Sequence, residues 1–106
     1  MPGGTPISHT SGLAIQALDI GSGLPPRTLV TDALQPAPNP AGQWLAYVSV
    51  DITQPDSLAK SIHVLNLASG VDRLVVSAGH FADLFGPRWM PNGSQLIFSA
   101  LYAQPA

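Results

Sequence analysis

The sequence predicts an all-β protein, a β-propeller fragment made of four-stranded antiparallel blades, and three observations lead there. Short apolar runs alternate with turns along the chain, and the 11 prolines and 10 glycines fall between these runs, not in one tract. The stretch Pro36-Ala37-Pro38-Asn39-Pro40-Ala41-Gly42-Gln43-Trp44-Leu45-Ala46-Tyr47 returns 51 residues later, from 36 to 87, as Pro87-Arg88-Trp89-Met90-Pro91-Asn92-Gly93-Ser94-Gln95-Leu96-Ile97-Phe98. A second hairpin also returns: Asp19 matches Asn66, Gly23 matches Gly70 and Arg27 matches Arg73. A period near 50 residues with four short strands in each period is the pattern of a propeller.

Residues 1–11, rich in Gly, Pro, Ser and Thr, read as a flexible N-terminal tail. Leu13-Ala14-Ile15-Gln16-Ala17-Leu18-Asp19-Ile20 alternates loosely and reads as a strand. Gly21-Ser22-Gly23 turns the chain into Arg27-Thr28-Leu29-Val30-Thr31, whose β-branched residues suit a second strand. After the short connection Asp32-Ala33-Leu34-Gln35 come strands at 34–39 and 43–50 around a Pro-x-Gly turn. A long connection, 51–60, leads to strands at 61–67 and 72–77 joined by Ala68-Ser69-Gly70. A second long connection, 78–86, leads to the last hairpin, and 103–106 is a tail. With the strands of one blade called A to D, residues 13–31 are C-D, 34–77 are A-B-C-D and 87–101 are A-B. The chain is then one complete blade flanked by two half-blades.

In 43–50, Leu45 and Tyr47 alternate with Trp44, Ala46, Val48 and Val50, so neither face is polar. A strand apolar on both faces is covered on both faces. The alternative is a two-sheet sandwich, in which the half-units pair and pack on the central sheet. The hairpin turns Asp19-x-x-Ser22-Gly23 and Asn66-x-x-Ser69-Gly70 share a mechanism: the side-chain oxygen can accept from nearby amides, and glycine supplies positive φ.

Composition excludes several function classes. Four Lys and Arg residues and a net charge of -2 leave no basic patch for nucleic acid or an anionic membrane. Cysteine is absent, so there is no disulfide framework, thiolate nucleophile or Cys-based zinc site. No apolar run reaches the roughly 18 residues that span a bilayer, and the N-terminus lacks the basic and apolar regions of a signal peptide. Either the protein is cytoplasmic or the chain is an excerpt of a longer one, and the excerpt is the expected reading.

In such a meander the two long connections share one face, and loops on a rigid scaffold commonly carry binding residues. The candidates on that face are Asp51, Asp56, His80, Phe81, Asp83 and Phe85. His80-x-x-Asp83 has the composition of a metal ligand pair or an oriented base, set against an ordinary loop His and Asp. Asp51, Asp56 and Asp83 suggest Ca²⁺, but the spacing of a calcium loop is missing and a solvated rim is the default. Phe81 and Phe85 suit either an anchor for a partner or a plug between blades. His63, on a strand between Ile62 and Val64, reads as a packed or rim histidine, and Trp89 as a packing residue. No G-x-S-x-G elbow or phosphate loop is present. The expectation is no catalytic set, no metal and no cofactor.

Pro87-Arg88-Trp89-Met90-Pro91-Asn92-Gly93 followed by Leu96-Ile97-Phe98, with Ser-Gly and Arg-Leu in the companion hairpin, resembles the repeat of TolB-like propellers, a Trp-Ser-Pro-Asp-Gly motif before an apolar strand. The resemblance covers roughly 13–101. The Asp position holds Ala41 and Asn92, the Ser position Asn39 and Met90, and the Trp position Pro38 in the first copy. It implies a non-catalytic module that binds a protein or small ligand, in a periplasmic or other extracytoplasmic setting. Two alternatives follow from similar repeats: the gating propeller of a prolyl-oligopeptidase-type serine hydrolase, whose catalytic domain lies outside this chain, or the extracytoplasmic sensor of a membrane regulator. Head-to-tail self-association would complete the half-blades, and the family's six blades imply three chains to a ring.

Overall fold

The computed structural model describes residues 12–51, 59–77 and 81–102. Among them the regular structure is all strand: β1 (Ala14–Ala17), β2 (Arg27–Thr31), β3 (Ala33–Pro38), β4 (Trp44–Asp51), β5 (Ala59–Asn66), β6 (Asp72–Val76), β7 (Phe81–Trp89) and β8 (Leu96–Tyr102). They form three antiparallel sheets: β1-β2, the four-stranded β3-β4-β5-β6, and β7-β8.

Several boundaries depart from the sequence reading: the connection at 32–35 shrinks to Asp32, and β4 and β5 take residues 51, 59 and 60 from the connection at 51–60. Residues 81–86 belong to β7 and not to a loop, because the strand continues through a bulge between Phe85 and Arg88 at which Gly86 adopts φ 66°. The same device bends β3, where Gln35 stands at φ 55° inside a bulge between Leu34 and Ala37. A bulge admits an extra residue without ending the ladder, which strict alternation does not reveal. The first strand is shorter than the run at 13–20, ending at Ala17.

The link between the first two sheets is the single residue Asp32. Its amide donates to the Leu13 carbonyl at 2.8 Å, extending the β1-β2 ladder, and its carbonyl accepts from the Val50 amide at 2.9 Å, extending β3-β4. Its φ of 52° turns the chain from one sheet into the other, a left-handed conformation that Asp tolerates better than most residues. The turn after β5 works as its sequence indicates: Asn66 Oδ1 accepts from the Ala68 and Ser69 amides. The Asp19 turn is closed differently, by the Ser22 amide and hydroxyl donating to the Asp19 carbonyl.

The pairings of the outer sheets parallel those of the central one. Ala33–Ser49, Leu34–Val48, Ala37–Ala46 and Pro38–Leu45 in β3-β4 become Leu84–Ala100, Phe85–Ser99, Arg88–Ile97 and Trp89–Leu96 in β7-β8, each residue 51 positions on (33 to 84, 49 to 100). Ile62–Val76, His63–Leu74 and Val64–Arg73 in β5-β6 correspond to Ile15–Val30, Gln16–Thr28 and Ala17–Arg27 in β1-β2.

The core lies on both faces of the central sheet. On one face Leu45, Tyr47 and Ala33 pack with Ile15, Leu29 and Val30 of β1-β2. On the other, Val48, Ile62 and Leu34 pack with Leu84, Phe81, Leu96 and Phe98 of β7-β8. Burial on both sides is what the apolar faces of β4 require, and each fully buried aliphatic side chain contributes about 1.5–3 kcal/mol. Polar bonds fix the second contact: Trp89 Nε1 donates to the Ala37 carbonyl at 2.7 Å, and the Gly86 amide to Gln35 Oε1 at 2.6 Å.

Candidate functional site

The alternation of β4, β5 and β6 brings one polar group together on the face turned toward β1-β2. Tyr47 lies opposite His63, and Leu65 opposite Asp72, so all four project to the same side. The Tyr47 hydroxyl donates to Asp72 Oδ2. His63 stacks on the Tyr47 ring at a centroid distance of 5.5 Å, with Nδ1 3.1 Å from Asp72 Oδ1 and Nε2 3.2 Å from Ser61 Oγ. A carboxylate only accepts, so His63 Nδ1 carries a proton toward Asp72, and in the neutral ring Nε2 is the acceptor facing the Ser61 hydroxyl. Burial first, then the Asp72 hydrogen bond and charge, push the Tyr47 phenol well above the usual tyrosine range.

Ser61, His63 and Asp72 thus stand in the connectivity of an acyl-transfer triad. The backbone differs from that of a nucleophile. Ser61 lies within a regular strand, facing Ser49 across the β4-β5 ladder, and not on a strained turn in front of converging amides. The cluster fixes three strands of the central sheet. The sequence reads His63 as a packed or rim residue and points to no site at Ser61, Tyr47 or Asp72. The available signal was parity, since 61 and 63 share a face of one strand and Asp72 opens the next.

The six candidates from the sequence do not converge. Asp56 and His80 lie outside the described residues. Asp51 is exposed at the end of β4. Asp83 accepts from Lys60 Nζ at 2.9 Å. That hydrogen bond, joined by one from the Leu84 amide and the Lys60 charge, holds its carboxyl below the usual carboxylate range against a smaller effect of burial. Phe81 packs against Phe98 and Tyr102 and onto the core between β7-β8 and the central sheet. Phe85 faces outward from β7-β8 and is exposed. Among the described residues no three His, Asp or Glu side chains gather as a metal site would require.

A cleft of about 330 Å³ opens elsewhere, between the β7-β8 turn with the start of β8 and the outer part of the central sheet. It is lined by Trp44, Trp89, Val64, Val75 and Leu96, with Arg73 as its one charged residue. Arg73 forms no ion pair among the described residues. The volume matches small binding sites, which are concave and mainly apolar with a few polar groups. β8 borders the cleft at Leu96, and among the described residues its only sheet partner is β7, which leaves its other edge open. The sequence reading named neither tryptophan as a binding residue, because the cleft joins strands from both sheets. Comparisons with protein-family models, curated proteins and solved structures find no match.

Proposed function

We propose that this chain is a non-catalytic interaction module, a propeller fragment of TolB-like type that binds by accepting added strands at β8. In this reading β3-β6 is a whole blade, β7-β8 the inner half of the next and β1-β2 the outer half of the one before. The observation that carries it is the open β8 edge beside an apolar cleft, in a hairpin whose residue pairs parallel β3-β4. The β4 edge, the counterpart of β8, is occupied by β5 through pairs from Trp44–Asn66 to Asp51–Ala59. Strand addition at a sheet edge draws affinity from main-chain hydrogen bonds and specificity from side-chain pockets.

The test uses a synthetic peptide of residues 59–77, the β5-β6 hairpin, added to the chain in trans. The peptide has no tryptophan, and both tryptophans of the chain line the cleft. Binding at β8 gives a saturable change in tryptophan emission together with slowed hydrogen exchange of β8 amides. Neither response at millimolar peptide would overturn the proposal.

A further inference from the structure

We propose that the β1-β2 hairpin of a second copy of this chain fills the place beside β7-β8, with β1 of one copy paired antiparallel to β8 of the other. The inference rests on reading β7-β8 as half a blade and names the partner that the open edge takes.

Two edges are complementary. Among the described residues β8 is paired only to β7 and β1 only to β2. Their counterparts β4 and β5 are neighbours in the central sheet. Within one copy the two edges cannot meet, because β1-β2 and β7-β8 pack on opposite faces of that sheet.

The register follows from the pairs already present. Moving β4 forward by 51 (Ser49 to Ala100) and β5 back by 47 (Ile62 to Ile15) converts Ser49–Ser61 into Ala100–Ala14. The same shifts convert Tyr47–His63 into Phe98–Gln16, and Leu45–Leu65 into Leu96–Leu18.

The faces then agree. In this register Ile97, Ser99 and Leu101 lie on the side of the joined sheet that carries Ile15. In its own copy that side packs on Leu45 and Tyr47 of the central sheet. Phe85, Ile97 and Leu101 are 42%, 52% and 56% exposed. Of their counterparts at 51 positions back, Leu34 is partly buried in the core, and Ala46 and Val50 are 0% and 4% exposed beneath β7-β8. The second copy thus continues an interface that each copy already contains, and it covers an apolar face that is otherwise left in water.

The other side of the incoming hairpin carries Gln16 and Thr28, bonded side chain to side chain at 2.9 Å. It comes to lie over Val64, Val75 and Arg73, so the cleft beside β8 is the volume that the hairpin fills. The contact is heterologous, with a different surface from each copy, and it propagates head to tail into a ring or a fibre.

The chain has no cysteine, so a designed pair reports the register directly. Ala14→Cys with Ala100→Cys in one chain is expected to give a ladder of disulfide-linked multimers on mild oxidation. Either substitution alone gives no more than a dimer, and Ala14→Cys with Ser99→Cys, one residue out of register, gives no ladder. The reduced double variant should melt at the wild-type temperature, which separates a failed contact from a failed fold. Sedimentation of the unsubstituted chain should show multimers that grow with concentration. A folded double variant that stays uncrosslinked, with an unsubstituted chain monomeric at every concentration, overturns the proposal. If the 59–77 peptide still binds in that case, only the partner is wrong; if it does not, the half-blade reading falls too.

Discussion

Asn39, in the turn after β3, donates its Nδ2–H to the carbonyl of Gly93, in the turn after β7, at 2.9 Å. Its Oδ1 accepts from the Ala41 amide at 2.8 Å, so one buried side chain closes its own turn and clamps the corresponding turn of the neighbouring sheet. Asn39→Ala removes both bonds and should lower stability by about 1–3 kcal/mol. Asn39→Asp keeps the acceptor and loses the donor, facing a carbonyl with a carboxylate, and should cost at least as much. Urea unfolding of the two variants measures this, and equal stability to wild type would show that the bond does not form.

The glycines of the two turns give a paired comparison. Gly42 and Gly93 have φ of 78° and 75°, so alanine at either meets the same left-handed penalty, about 1–2 kcal/mol. A Cβ on Gly42 meets nothing within 4 Å, whereas one on Gly93 sits 3.3 Å from Asn39 Nδ2. Gly93→Ala should therefore be the more destabilising, and the difference should shrink in an Asn39→Ala background.

Trp89→Phe keeps an aromatic ring and removes the donor to the Ala37 carbonyl. The expected loss is about 1 kcal/mol, read as a lower urea midpoint at unchanged slope.

The buried Tyr47 makes the fold sensitive to alkali. Its proton is held more tightly in the folded state than in the unfolded one, where the phenol ionises near pH ~10. The stability it contributes is complete below that pH and is lost as pH rises above it. Tyr47→Phe should cost about 1 kcal/mol at neutral pH, through the lost bond to Asp72. It should also flatten the fall in stability above pH ~10. The Lys60–Asp83 pair acts in the other direction: the lowered Asp83 carboxyl contributes stability that is present above the usual aspartate range and fades as pH falls below it. Both groups are partly exposed, so Asp83→Asn should cost less than about 1 kcal/mol.

The Ser61–His63–Asp72 line is a structural clamp in the non-catalytic reading. Activated esters and short peptides should be hydrolysed at the same background rate by wild type and by Ser61→Ala. Turnover that depends on Ser61 would favour an enzyme instead.

The hairpins were legible because their turns are written locally: Pro-x-Gly at 40–42 and 91–93, and Asn66-x-x-Ser-Gly at 66–70. The covered faces of β4 were legible because only aliphatic and aromatic residues run from Leu45 to Val48. The start of β7 was not, since the bulge at Gly86 hides its alternation. The polar cluster and the cleft were not, since both join residues from separate strands. The binding face proposed from loop length lost Phe81 to the core and Asp83 to Lys60. Long connections advertise accessibility, but an apolar side chain beside an uncovered core, or a carboxylate beside an amine, is taken up by packing.

The most direct measurement supplies in cis the strands that the proposed blade calls for beside β8. Residue 102 corresponds to residue 51 in the 51-residue spacing of β4 and β8, as 100 does to 49. A chain that continues after Tyr102 with a second copy of residues 52–77 would carry its own partner for β8. A completed blade raises the melting temperature by more than about 5 °C, the shift expected for roughly 1 kcal/mol in a domain of this size, and protects the β8 amides from exchange. An unchanged melting temperature, with β8 exchanging as before and the added segment unstructured, would contradict the reading of β7-β8 as half a blade.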